Sequence, residues 1–125
     1  MESKKILVAD DDPSIRDLCG LILQTEGFEV LTAEDAVTCV ALSRQENPDL
    51  VLLDWMMPEV DGMDALRLLK ASDRTRHIPV VMLTALDSAA QITEATLNGA
   101  DGYVTKPFEG PDLVALVCRF TGVVR

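Results

Sequence analysis

Short apolar runs alternate along the chain with stretches in which apolar positions recur every three or four residues. The first pattern is that of a strand buried on both faces, the second that of an amphipathic helix. Read in order, they predict strands at about 5–10, 28–32, 49–54, 79–84 and 101–105, and helices at about 13–26, 34–46, 62–71, 88–98 and 111–121. In the first helix Ile15, Leu18, Cys19 and Ile22 share one face. Asp12-Pro13 suits its cap and first turn, and Gly27 suits its stop. Ser88 and Gln91 have the spacing of a capping box at the start of the fourth helix. Behind Pro111, the last helix carries Leu113, Leu116, Val117 and Phe120 on one stripe.

The composition of the strands orders them. Ile6-Leu7-Val8-Ala9, Leu50-Val51-Leu52-Leu53 and Val80-Val81-Met82-Leu83 are apolar throughout, as interior parallel strands are. Phe28-Glu29-Val30-Leu31-Thr32 and Asp101-Gly102-Tyr103-Val104-Thr105 are mixed, as edge strands are. Right-handed crossovers then give the order 2-1-3-4-5 in an α/β domain: one doubly wound, five-stranded parallel sheet with five helices, flavodoxin-like. The winding reverses between the first and third strands. Ligands of such sheets bind in the crevice outside the strand ends at that switch point.

Polar residues stand at those ends. Asp10-Asp11-Asp12 follows the first strand, Asp54 ends the third, Thr84 follows the fourth and Lys106 the fifth. Each has a plain structural reading. Asp12 before Pro13 caps a helix, Asp54 ends a strand at a turn, Thr84 reflects β-propensity, and a lone lysine is solvated surface. Capping does not explain three successive aspartates, and carboxylates gathered in one crevice repel one another unless a cation lies among them. Hard oxygen ligands of this kind suit Mg2+. Asp54 would then be a nucleophile that forms an acyl phosphate, with Lys106 and the Thr84 hydroxyl on the phosphoryl oxygens. Lys106-Pro107 fixes how the lysine leaves its strand, through a cis peptide if the proline adopts one. His77, the only histidine, precedes Ile78-Pro79 at the opposite end of the sheet and reads as a surface loop residue. Met56-Met57 reads as a packing element.

Composition narrows the partners. The 125 residues make one domain, 1–125, 48% apolar and 26% charged. A net charge of -10 opposes nucleic-acid backbones and anionic membranes and favours cations and basic partner surfaces. No apolar run spans a bilayer and no signal-peptide pattern opens the chain, so a cytoplasmic protein is expected. Cys19, Cys39 and Cys118 are odd in number and widely spaced, which argues against disulfides or zinc. Cys19 and Cys118 read as core residues, Cys39 as partly exposed.

The segments Ile6-Leu7-Val8-Ala9-Asp10-Asp11-Asp12-Pro13, Leu53-Asp54-Trp55-Met56-Met57-Pro58 with Asp61-Gly62, Leu83-Thr84-Ala85 and Lys106-Pro107-Phe108 together resemble the receiver domain of two-component response regulators. The resemblance runs from about Lys5 to the last helix, with the motifs in the family's order. It implies Asp54 as phosphoacceptor, Asp11 as a direct Mg2+ ligand, Asp10 as a ligand through water, and the backbone carbonyl of Met56 as a further ligand. Thr84 and Lys106 match the phosphate-contacting residues, and Tyr103 the aromatic whose rotamer follows Thr84.

The expected function is a switch, not a conventional enzyme. Asp54 would take a phosphoryl group from a cognate histidine kinase or phosphotransfer protein, the domain itself assisting the modification and its reversal. The face of the fourth helix, fifth strand and last helix would then engage a downstream protein target, an output domain or a second copy. A phosphohydrolase of the haloacid-dehalogenase type would want an acid two residues after Asp54, where Met56 stands. A degenerate receiver would lack an acidic ligand or the lysine, and both are present.

Overall fold

The computed structural model describes residues 3–57, 59–85 and 89–124. Five strands alternate with five helices: β1 (Lys5–Ala9), α1 (Pro13–Thr25), β2 (Glu29–Ala33), α2 (Ala36–Glu46), β3 (Leu50–Asp54), α3 (Gly62–Ala71), β4 (Val80–Thr84), α4 (Ala89–Leu97), β5 (Gly102–Thr105) and α5 (Gly110–Thr121). All strand pairs are parallel, in the order β2-β1-β3-β4-β5. The expected fold class and strand order are those observed, with element ends displaced by one or two residues. Ser88, expected to cap the fourth helix, lies outside the described residues, as do Pro58 and Leu86.

Alternation along the interior strands builds two cores. Leu7, Ala9, Val51, Leu53, Val80 and Met82 face one way, toward Cys39 and Val40 of α2, Leu66 and Leu69 of α3, and Ala95 of α4. Ile6, Val8, Leu50, Leu52, Val81 and Leu83 face the other, toward Cys19 and Leu23 of α1 and Leu113 and Val117 of α5. Period-two side chains on strands covered by helices on both faces require this arrangement. Removing one large member, as in Leu52→Ala, costs about 3 kcal/mol or more.

The helices start and stop where their end groups are satisfied. The Asp12 carboxylate accepts from Ser14 N–H, with Pro13 in the first turn of α1. Asp35 and Asp61 cap α2 and α3 in the same way, from Thr38 and Asp64 N–H. Gly27 follows the C-cap of α1 at φ 94°, a conformation that favours glycine. Two expectations are corrected. Leu18 is 44% exposed, because the buried arc of α1 is centred on Cys19 and Leu23, which leaves Leu18 at its edge. Cys39 is fully buried in the core between α2 and the sheet, not partly exposed. Cys19 and Cys118 are buried as expected, and all three thiols are free.

Parallel strands give the molecule two unlike rims. At the rim where the strands begin, Lys5 lies near Glu29 and Glu46, Lys70 pairs with Asp101, and Arg76 pairs with Asp73. His77 is exposed there, in the segment entering β4. The strands' far ends carry the carboxylates. Among the described residues no helix is long and apolar enough to cross a membrane.

Candidate functional site

β1 and β3 are neighbours, with Ala9 in register with Leu53. The residues that follow, Asp10 and Asp54, therefore emerge side by side at the switch point. Asp10 is fully buried and Asp54 only 3% exposed, while Asp11 faces solvent. One carboxylate oxygen from each of Asp10, Asp11 and Asp54 lies within 4.8 Å of the others.

Every polar group of Asp10 is held from a different direction. Its N–H donates to the Ala33 carbonyl (3.1 Å), its Oδ1 accepts from Asp12 N–H (2.9 Å), and its Oδ2 accepts from Lys106 Nζ (2.7 Å). Its carbonyl accepts from Arg16 Nη1 at 2.7 Å. Asp54 Oδ1 lies 3.3 Å from both the Met56 N–H and Lys106 Nζ. Lys106 thus bridges the two buried carboxylates after a cis Lys106-Pro107 peptide.

The electrostatics follow from crowding. Burial, then the facing Asp10 charge, push the Asp54 carboxyl up to about 6, against the pull of Lys106. Burial works to lower the Lys106 pKa, but its hydrogen bond to Asp10 and the charges of Asp54 and Asp10 outweigh it and raise the value. One ammonium faces three carboxylates. That surplus, on hard oxygen donors with one side open to water, fits a small divalent cation that keeps part of its hydration.

Thr84 is buried at the end of β4, one residue beyond Leu83, which is in register with Asp54. Its carbonyl accepts from Lys106 N–H at 2.8 Å, so the ends of β4 and β5 are joined there. Tyr103 sits on β5 in register with Met82 and is 47% exposed. The backbone of Met56 borders the cluster through its N–H, and Met57 is buried in the core. Met56 itself is 62% exposed, so the expectation of a packed pair holds for only one member. A side chain two residues past a strand's end projects from the rim with no layer above it.

Two residues given no role from sequence shape the site. A Cβ on Gly62 would overlap the Asp54 carbonyl oxygen, so only glycine lets α3 begin against the end of β3. Its N–H donates to the Trp55 carbonyl (2.9 Å) and closes that loop. Arg16 is the other. Its signal was available, because a cation in the first turn of a helix opposes the field of the helix terminus and calls for a partner.

The family model for the response regulator receiver domain matches residues 6–118. The DNA-binding dual master transcriptional regulator RpaA of Synechocystis is 42% identical over 113 residues, covering 90% of this chain and 47% of that protein. The chain spans about half the length of the curated relatives it matches. Chemotaxis protein CheY4 of Vibrio cholerae superposes with a TM-score of 0.91 at 29% identity, covering 95% of this chain and 99% of that one. The receiver domain of the sensor histidine kinase PA1611 of Pseudomonas aeruginosa, solved with a magnesium ion coordinated in its active-site cleft, gives 0.89 at 26% identity, over 97% and 99% of the two chains. With carboxylates, hydroxyl and lysine on the rim of a 2-1-3-4-5 sheet and a family match over most of its length, the chain belongs to the response regulator receiver domains and is a signalling module of two-component systems.

Proposed function

We propose that Asp54 is the phosphoacceptor of a single receiver module, residues 1–125, and that the domain assists its own phosphorylation and dephosphorylation. The observation that carries this is the contact of one lysine with two buried carboxylates at the switch point. A buried carboxylate with its pKa raised is more basic than a solvated one, and so a good nucleophile once a cation neutralises its neighbours and keeps it ionised. Asp11, Asp54 and the Met56 carbonyl would hold Mg2+ directly and Asp10 through water. Bound there, Mg2+ supplies positive charge against the spreading negative charge of the transferring phosphoryl group. A carboxylate oxygen of Asp54 attacks phosphorus, the P–N bond of a phosphohistidine breaks, and its electron pair leaves with the imidazole. Lys106 then exchanges a carboxylate for a phosphoryl oxygen, and the Thr84 hydroxyl donates to another.

The donor is a histidine kinase or phosphotransfer protein and the receiver of the signal a protein target or output domain. RpaA is named as DNA-binding, whereas the charge of -10 on this chain supports protein contacts in place of direct nucleic-acid contacts and membrane binding. Three free thiols support a reducing, cytoplasmic setting. Movement of Thr84 toward the phosphate would free space for Tyr103 and remodel the face of α4, β5 and α5 for a partner or a second copy.

Mass spectrometry after incubation with acetyl phosphate and Mg2+ tests the reading. Wild type should gain one phosphoryl group, as a hydroxylamine-sensitive acyl phosphate. Asp54→Asn or a chelator should abolish the gain, and Lys106→Ala should slow it. Wild-type labelling of Asp54→Asn would remove Asp54 from the role.

A further inference from the structure

The contacts of Arg16 have no part in the phosphoryl chemistry, yet they enclose the acidic turn. Its backbone N–H donates to the Asp12 carbonyl (3.1 Å), and its guanidinium Nη1 donates to the Asp10 carbonyl (2.7 Å). The first is the helical bond that any residue at this position makes; the second belongs to the guanidinium and ties down the Asp10 end of the Asp10-Asp11-Asp12 turn. The middle member, Asp11, is the exposed one. It is also the only member of the three-carboxylate cluster that neither ends a strand nor is buried within the rim, so its placement depends on the turn's shape. Half-buried Arg16 lies over the ends of β1 and β2, beside a pocket of about 290 Å³ bounded by Thr32, Ala33, Glu34 and Thr38. Its charge stands where the helix terminus disfavours one, a cost that its hydrogen bond to the Asp10 carbonyl offsets.

We infer that Arg16 is a positioning residue for divalent-cation binding, holding the turn so that Asp11 reaches the position opposite Asp10 and Asp54. This rests on the reading of that cluster as a Mg2+ site. Two effects of removing Arg16 oppose each other. Loss of a nearby cation strengthens the negative field and favours Mg2+, while loss of the strut lets the turn relax and weakens binding. The rigid, directional fork of a guanidinium, bonded at 2.7 Å to an otherwise inaccessible carbonyl, makes the strut dominate. Partners that orient ligands without touching the metal typically govern about tenfold or more in affinity.

Mg2+ titration followed by Trp55 fluorescence and by calorimetry, on wild type, Arg16→Gln, Arg16→Lys and Asp11→Ala, decides the matter. Glutamine and lysine keep helix propensity. Glutamine is too short to reach the Asp10 carbonyl, and lysine keeps the charge without the fork. We expect Arg16→Gln to bind Mg2+ about tenfold more weakly than wild type and Arg16→Lys roughly threefold more weakly. Denaturation midpoints measured in parallel separate affinity from folding, since a merely structural role would lower the midpoint and leave the affinity of the folded protein unchanged. Unchanged or tighter binding in Arg16→Gln overturns the inference. If that variant does not fold, wild-type affinity in Arg16→Lys overturns it. Absence of a saturable Mg2+ response in wild type, or its survival in Asp11→Ala, would instead overturn the site reading beneath it.

Discussion

Asp54 is held in a protonation balance that works against the fold at neutral pH. Its carboxyl titrates near 3.8 when solvated and near 6 in place, raised first by burial and then by Asp10. A raised acid favours the folded state fully below the unfolded value, and that contribution is lost as pH climbs through the folded one. Between about pH 4 and 6, therefore, metal-free protein loses stability from this group as pH rises, by roughly 3 kcal/mol at most. Asp54→Asn should be more stable than wild type at pH 7 in chelator, by about 1–2 kcal/mol once the weaker hold on Lys106 is discounted. The gain should vanish near pH 4. Urea unfolding at the two pH values measures it, and a less stable Asp54→Asn at pH 7 would refute it. The same chemistry left part of the site legible in the sequence. Asp10, Asp54, Thr84 and Lys106 could be read because residue type and strand-end position coincide. Met56 and Leu18 could not be, since burial of a side chain depends on whether a neighbouring layer covers it, which local spacing does not specify. The charge of Arg16 in the first helical turn was legible as one in need of a partner, but the partner was not, because a main-chain carbonyl leaves no trace in residue identity.

At the scale of elements, α4 is the least anchored. Of its nine residues only Ala95 is buried, whereas α3 buries five of ten. Arg67 of α3 reaches across to Asn98 (3.1 Å) and Glu94 (3.7 Å), contacts half exposed to water and individually weak. Amide exchange should accordingly be fastest in α4 among the helices and slowest in β1, β3 and β4. Beryllofluoride should alter exchange and amide shifts from Thr84 through α4 to Tyr103, and Thr84→Ala should blunt that change. A response confined to the loops touching Asp54 would mean that this face is not the output. The strand order was legible from the contrast between apolar and mixed runs. The looseness of α4 was not, because its sequence has ordinary helical periodicity and lacks only deep partners.

For the whole molecule, the two rims differ in more than position. Where the strands begin, cations and anions pair with one another; where they end, Asp10 and Asp54 share Lys106, with Asp11 clustered beside them and Asp12 next in the chain. The site end of the sheet thus carries a local surplus of carboxylates over cations, within a chain whose net charge is -10. The field of such a surplus reaches beyond contact until salt screens it, over about 8–10 Å at ordinary ionic strength. Labelling by the acetyl phosphate anion at saturating Mg2+ should quicken as salt is added, because screening relieves repulsion, and phosphotransfer from a basic docking protein should slow. Equal salt dependence in both would contradict this. An approaching basic partner is turned by that field during diffusion, so the collision is biased toward the reactive end before any surfaces meet.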